Sequence, residues 1–141
     1  IDVEQEHKMP ITKNSARQEV IAAHVDFTFA DIPTTATVYA ALGLPTNAVV
    51  VGGDLVVTTA WNTATSAVLA IGDVTTANRY GSAIDLKTAA RTALTQTGFT
   101  TTTTQKDVNV TPTYVGAAAT AGAARLTVLY VVKGRAAFSQ G

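Results

Sequence analysis

The stretch AVVVGGDLVVTTAW, residues 48–61, carries the strongest strand signal in the chain. Val and Thr dominate it, and both fit a pleated, half-buried surface. One set of alternate positions is apolar or β-branched: Val49, Val51, Leu55, Val57, Thr59 and Trp61. Alternate side chains of a strand share a face, so this set is predicted to point into a core. The Gly52–Gly53 pair predicts a β-bulge or a close backbone approach.

Four more segments show period-two alternation and predict strands, at residues 19–29, 64–71, 107–114 and 125–133. In the first of them Phe27 falls on the apolar face. Pro112 is expected to place the third near a sheet edge or at a bulge. Both faces of the last segment are apolar, so we predict a central strand that is covered on both sides.

The connections are less regular. Asn62–Thr63 predicts a hairpin between two strands, and the Ala-rich segment 86–94 predicts a short helix. Five consecutive threonines at 100–104 predict an exposed strand or a long loop. Six to eight strands with turns every ten or so residues indicate an all-β fold, either a sandwich or a barrel.

Charge is concentrated at the N-terminus, where residues 1–19 hold seven of the twenty charged side chains. We predict an extended N-terminal arm at 1–17, a β domain at 18–135 and a loose tail at 136–141. The arm is expected to lie across a neighbouring subunit, although a loose terminus is the ordinary alternative. The candidate contact residues are Glu4, Glu6, Lys8, Lys13 and Arg17.

The composition excludes some partners and favours others. The formal net charge is zero, whereas nucleic-acid binders have a basic excess. No apolar run approaches the roughly 20 residues of a membrane helix. Only 14% of residues are charged, against about a quarter in a typical soluble domain. Either a partner covers part of the surface, or threonine hydroxyls (25 Thr) keep it soluble.

No motif predicts catalysis, a cofactor or a metal. His24 and Asp26 share a strand face, but a hydrolytic triad also needs an activated nucleophile, and no such motif is present. Asp2, Glu4, Glu6 and His7 match neither an EF-hand nor a zinc spacing. We therefore predict that the protein is not an enzyme.

Two further residue sets have a functional and a structural interpretation. Turn aspartates usually bond their own backbone, but two of them brought together could serve a glycosidase: Asp54, Asp73 and Asp85. Aromatic side chains could form a sugar platform, although a core role is favoured: Trp61, Tyr80, Tyr114 and Tyr130.

The central sequence resembles small head proteins of tailed bacteriophages, the capsid decoration or cement proteins. The resemblance lies in LGLPTNAVVVGGDLVVTTAWNTATSAVLAIGD (42–73), ANRYGSAIDLKTAARTALT (77–95) and TVLYVV (127–132). It covers roughly residues 36–133 and leaves the arm unmatched. It carries no catalytic residues.

The resemblance implies an antiparallel β-sandwich, jelly-roll-like, with an immunoglobulin-like sandwich as the alternative. It also implies a homotrimer on the outer surface of the virion capsid, bound to the major capsid protein and stabilising the expanded lattice. Two other functions stay open, a head-fibre or tail component that binds a host receptor, and a carbohydrate-binding β module. A small β-sandwich hydrolase is the least favoured.

Overall fold

The computed structural model describes residues 19–133, and within that range the chain forms eight strands and no helix. The strands are β1 (Ile21–Thr28), β2 (Tyr39–Gly43), β3 (Ala48–Thr59), β4 (Ser66–Gly72), β5 (Gly81–Asp85), β6 (Arg91–Ala93), β7 (Asp107–Val115) and β8 (Ala123–Val132). The predicted arm at 1–17 and tail at 136–141 lie outside the described residues.

The eight strands form a jelly roll. One sheet has the order β1-β8-β3-β6 and the other β2-β7-β4-β5, and every pairing is antiparallel. The pairs β1–β8, β2–β7, β3–β6 and β4–β5 are nested, as when one long hairpin is wound into two sheets. An immunoglobulin sandwich would hold its first two strands in one sheet. Here they lie in different sheets, so the predicted fold class is confirmed and the jelly roll is the version observed.

The core lies between the two sheets and is built from the predicted apolar faces. In β4, Ala67, Leu69 and Ile71 are almost fully buried. Phe27 and Trp61 close one end of the core with their ring centroids 6.3 Å apart. Burial of a Leu, Ile or Phe side chain contributes about 1.5–3 kcal/mol, so this interior is the main source of stability.

A bulge in β3 reverses the predicted parity of its first half. Val50 pairs with Tyr130 and Gly52 with Leu129, so Val51 is an extra residue. Before the bulge the buried side chain is therefore Val50, while Val51 is 36% exposed. The prediction that Val49 and Val51 point into the core is wrong, because an inserted residue exchanges the two faces of a strand. Thr59, beyond a second register shift, is exposed as well, so the prediction is also wrong there.

Gly53 shows why the bulge needs glycine. Its φ of +131° is a conformation that residues with a side chain rarely adopt. A Cβ there would lie 2.2 Å from the carbonyl oxygen of Thr127 on β8. The predicted close backbone approach is confirmed.

Two predictions about connections are wrong. Residues 86–94 are not helical, because β6 pairs with β3 while Leu86 and Leu94 are buried on either side of it. Asn62–Thr63 does not join a hairpin, since the chain there crosses from the sheet of β3 to the sheet of β4. In both cases long-range packing overrides a local preference.

The two strands with special predictions, β7 and β8, are both central in their sheets. Pro112 lies in β7 beyond the paired part of β2, and its carbonyl accepts a hydrogen bond from Ala36 on that side. Its missing N–H therefore costs no hydrogen bond of the sheet.

The outward face of β8 is only half-covered at Leu129 and Val131 within residues 19–133, so the predicted two-sided cover is not observed there.

Because successive strands alternate in direction, the connections divide between two ends. The end that we call distal holds residues 29–38, 60–65, 86–90 and 116–122. The proximal end holds residues 44–47, 73–80 and 94–106, together with the start of β1 and the end of β8. Glu19, the first described residue, therefore lies at the proximal end.

Candidate interaction surfaces

The residues considered for catalysis are not arranged as an active site. His24 and Asp26 are exposed on the outer face of β1, as their spacing predicts, and Asp26 lies 4.0 Å from Arg125 on β8. Among residues 19–133 no group of three or more His, Cys, Asp or Glu side chains is placed to hold a metal ion. The acidic residues near His7 fall outside that range.

The three aspartates considered for a glycosidase each have local partners. The carboxylate of Asp85 accepts hydrogen bonds from the Lys87 amide and the Thr88 hydroxyl, and these bonds lower its pKa. Asp54 is in β3 rather than in a turn, and it pairs with Arg91 across the sheet. Asp73 serves the proximal loop described next. These bonds fit structural roles.

The aromatic side chains belong to the interior. Trp61 and Tyr80 are 1% and 2% exposed, so neither forms part of a sugar platform. The half-buried Tyr114 donates its hydroxyl to the carbonyl of Ile32 at 2.6 Å, and burial raises its pKa to about 12. Tyr130 packs against the core from β8. The core interpretation of these residues is confirmed.

A buried ion pair fixes the loop at residues 73–80 of the proximal end. The Asp73 side chain is 1% exposed, and its carboxylate accepts hydrogen bonds from the amides of Thr75 and Thr76 and from Arg79 Nε. Burial by itself would raise the pKa of Asp73, but these bonds outweigh it and the pKa is lowered. The Arg79 guanidinium also lies 3.6 Å from the centroid of the Phe99 ring.

The same loop carries an exposed apolar side chain on a rigid support. Val74 follows Asp73 directly and is 69% exposed. Gln105, from the neighbouring connection, bonds the Thr75 hydroxyl. Thr101, from the threonine run, is buried: it donates to the Pro45 carbonyl at 2.6 Å and accepts from the Ala48 amide at 2.8 Å. The run is therefore a loop fixed to β3, and it helps to form a firm proximal surface.

Two segments of the distal end are uncharged and consist mostly of small residues. Segments 60–65 and 116–122 contain no charged residue. Asn62 joins them, accepting from the amides of Thr120 and Ala121 and donating to the Thr120 hydroxyl. A shallow pocket of about 140 Å³ lies there between the β1–β2 connection and Ala118–Ala119.

A larger groove runs between the edge strands β1 and β2 and is called the β1–β2 groove below. Its volume is about 330 Å³, and its lining is Val25, Asp26, Phe27, Asp31, Ile32, Tyr39, Ala40, Ala41 and Val110. The sequence alone does not indicate this groove, because its walls come from β1 and β2, which belong to different sheets and become neighbours only in the folded chain. The paired acids Asp26 and Asp31 around an apolar segment were the one available signal.

The arm residues predicted as contacts, Glu4, Glu6, Lys8, Lys13 and Arg17, lie outside the described residues. No helix within residues 19–133 is long and apolar enough to cross a membrane.

Three solved structures with a similar fold are bacteriophage capsids. A chain in the capsid asymmetric unit of cyanophage Pam1 aligns with a TM-score of 0.68 and 24% identity, over 89% of this chain and 93% of that chain. A chain in the acid-stable capsid of Helicobacter pylori bacteriophage KHP30 aligns with a TM-score of 0.62 and 22% identity, over 85% and 90%. A chain in the capsid of Ralstonia phage GP4 gives 0.62 and 20%, over 93% and 95%.

No protein-family model matches the sequence, and no curated protein matches it. At these identities the three structures establish a shared fold over almost the whole of each chain.

Proposed function

We propose that this protein is a bacteriophage capsid decoration protein. It is a non-enzymatic cement protein that binds the outer surface of the head and stabilises the expanded lattice of the major capsid protein. The observation that carries the proposal is the end-to-end alignment with chains from three phage capsids. Because at least 85% of this chain and 90% of each neighbour align, the neighbours are also small chains, of nearly this length.

The charge balance supports the outer surface over the inner one. The inner surface of a filled head faces packaged DNA, where a basic excess lowers the free energy through phosphate contacts. This chain has ten basic and ten acidic residues and no such excess. Low net charge also reduces the repulsion between identical subunits packed side by side.

The proximal end is the proposed shell-facing surface. Glu19, which lies just after the arm in sequence, is at this end, and Val74 stands exposed on a loop that the Asp73–Arg79 pair holds in place. A loop that is already ordered loses little conformational entropy on binding, which favours affinity. The charged arm residues Glu4, Glu6, Lys8, Lys13 and Arg17 add contacts with neighbouring subunits on the assembled capsid surface.

Trimer formation makes modest contacts sufficient. When one subunit of a homotrimer is bound, the other two reach their sites at high effective concentration, so avidity exceeds the affinity of a single site. A ligand that binds the expanded lattice better than the unexpanded one stabilises the expanded state by linkage. Cementing therefore needs no catalytic group and no cofactor.

The test uses capsids that lack the protein, in expanded and unexpanded forms. We expect the purified chain to bind the expanded form in hundreds of copies and to raise the temperature at which that shell disrupts. Native mass from light scattering should equal three chains of 14.6 kDa. Absence of binding to expanded capsids, with only a few copies in intact virions, would instead favour a fibre or tail component.

Two valines provide a matched pair for the docking surface. Val74 at the proximal end is 69% exposed and Val115 at the distal end of β7 is 49% exposed. Val74→Glu should lower capsid occupancy, while Val115→Glu should leave it unchanged. Equal effects of the two substitutions would contradict docking through the proximal end. Deletion of residues 1–17 should also lower occupancy, and unchanged occupancy would remove the arm from the contact.

A further inference from the structure

Each side of the sandwich has one connection that crosses between the two sheets, and the side that carries β1 and β2 also has a groove. At the opposite side the chain between β5 and β6 bridges the sheets: Leu86 donates its amide to Ala67 in one sheet, while the amide of Val57 in the other donates to Ala90. On the β1 side the connection at 29–38 also crosses between the sheets, since the Phe29 amide bonds Gly122 beside β8 and the Ala36 amide bonds Pro112 in β7, and the β1–β2 groove of about 330 Å³ lies next to this connection. The groove on the β1 side is therefore bounded at its distal end by the 29–38 connection.

The β1 strand offers free backbone groups along this groove. The Phe29 amide bonds the Gly122 carbonyl, so Phe29 and the residues at alternate positions before it direct their backbone groups to the β8 side. Ala22, His24 and Asp26 consequently direct theirs to the open edge. Thr28 is already capped by Asp31, whose carboxylate accepts from the Thr28 amide. An unpaired edge of this kind is a template for an added strand.

The groove combines an apolar floor with an acidic rim. Phe27, Ile32 and Val110 are buried at its base. The Asp26 side chain on the rim is 72% exposed, and Asp31 is exposed beside it. No basic residue lines the groove, and the basic group beside its rim is Arg125 of β8, 4.0 Å from Asp26. The chemistry fits an extended peptide with aliphatic side chains between cationic ones.

The N-terminal arm contains such a peptide. Lys8-Met9-Pro10-Ile11-Thr12-Lys13 places a cation at each end of an apolar pair, and residues 7–18 include no acid. Met9 and Ile11 are two positions apart, so in an extended chain both point to the same side. An added strand leaves every second residue with its N–H directed away from the edge that it joins, and proline is tolerated at such a position. The fixed φ of Pro10 also lowers the entropy lost on ordering.

The route of the chain favours the groove of another copy. Glu19 and Val20 form no turn before β1 begins. Gln18, Glu19 and Val20 include none of the residues that favour a tight reversal, so a tight hairpin at these residues onto the chain's own β1 edge is disfavoured; the turn-favouring Asn14 and Ser15 lie farther from β1. From Lys13 to Glu19 an extended chain spans up to about 20 Å, comparable with the width of a four-stranded sheet, so the segment reaches an adjacent molecule.

We propose that the β1–β2 groove binds residues 8–13 of the N-terminal arm of a second copy of this chain, added as an extended strand along β1. Arm exchange of this type links the subunits of the oligomer. The inference rests on the self-association in the proposed function, but it does not depend on binding to a capsid.

The chain has no cysteine, so a disulfide cross-link can be placed without background. Chains that carry Ile11→Cys alone and Ala40→Cys alone, with tags of different size, are co-expressed in full length and oxidised. Ala40 is an exposed residue of the groove. The control replaces Ala40→Cys with Ser82→Cys, an exposed position on β5 at the far side of the sandwich.

We expect a disulfide between the two differently tagged chains with Ala40→Cys and none above background with Ser82→Cys. In a chain that carries Ile11→Cys and Ala40→Cys together, a faster-migrating monomer without covalent oligomers would show that the arm folds into its own groove and would overturn exchange. Equal cross-linking of Ala40→Cys and Ser82→Cys would overturn the proposal that the arm binds in the β1–β2 groove. Retention of capsid binding in that case would leave the proposed function intact.

A charge reversal tests the acidic rim without touching the arm. Asp26→Lys should slow formation of the disulfide between chains by roughly two- to fivefold, as expected for loss of one exposed ion pair. The control is Asp107→Lys, which makes the same change at an exposed residue of β7. Equal rates for the two variants would exclude the proposed contact between the rim and Lys8 or Lys13.

Discussion

Replacement of Arg79 by Met should cost far more stability than the same replacement of Arg91. Each arginine pairs with an aspartate through Nε, Arg79 with Asp73 and Arg91 with Asp54. The pairs differ in burial: side-chain exposure is 17% and 1% for Arg79 and Asp73, but 62% and 23% for Arg91 and Asp54. Methionine keeps much of the aliphatic stem, so the comparison isolates the charged head.

The expected magnitudes follow from what each carboxylate retains. Without Arg79, the Asp73 carboxylate stays buried with only the amides of Thr75 and Thr76, at 2.9 and 2.7 Å. Breaking a buried pair by removing one partner costs about 3–5 kcal/mol, and the partial exposure of Arg79 places the value near 3 kcal/mol. The contact with Phe99 is lost as well. Without Arg91, the exposed pair should cost less than about 1 kcal/mol.

The measurement is equilibrium unfolding in urea for the wild type and both variants at one protein concentration, because self-association contributes to apparent stability. The slope with denaturant should be unchanged, so that the midpoint reports the free energy of unfolding. In thermal unfolding, the midpoint temperature of Arg79→Met should lie roughly 10 °C below that of the wild type. A loss for Arg79→Met within about 1 kcal/mol of that for Arg91→Met would refute a structural role for the buried pair.

Three further predictions concern the same fold. Because the folded-state pKa of Asp73 lies below its ordinary value of 3.8, its contribution is complete above that pH and is lost as the pH falls through the folded-state value. Unfolding of Asp73→Asn and wild type should therefore converge in acid, and a constant difference would contradict this. Gly122→Ala should cost about 3 kcal/mol or more, since its Cβ would lie 2.5 Å from the buried Trp61 ring; Gly98→Ala, with no atom within 4 Å, should cost about 1 kcal/mol. Thr101→Val removes two buried hydrogen bonds and should cost roughly 2–4 kcal/mol in chemical unfolding, whereas the exposed Thr103→Val should be near neutral.

The strands that were predicted correctly are those in which the alternation of apolar and polar residues matches the alternation of buried and exposed side chains. In β1 and β4, alternate apolar residues face the core as the sequence indicates. Alternation survives because a sheet with one covered face selects for it at every second position. The buried aromatics Phe27 and Trp61 were found by the same parity argument.

The failures occur where a distant segment decides the local structure. Segment 86–94 has the composition of a short helix, yet pairing with β3 and burial of Leu86 and Leu94 fix it as extended chain. In β3 the two glycines of the sequence indicate a bulge, but they do not indicate which residue has no partner in β8. That choice follows from the register with β8, and it moves Val50 inside and Val51 outside.

The candidate surfaces divide in the same way. The concentration of charge in residues 1–19 and the low charge elsewhere are properties of the sequence, and they favour a surface that a partner covers. The β1–β2 groove, the proximal loop surface and the burial of the Asp73–Arg79 pair depend on the winding of the two sheets.

The sequence by itself determined an all-β fold, a sandwich or a barrel, because strand periodicity and turn residues are local properties that each segment carries alone. Only the tertiary structure decided the jelly-roll order, the open β1 edge and the acidic rim of the groove. Those features depend on which strands become neighbours, and neighbours are selected by packing energy summed over the whole core. No single segment encodes that sum.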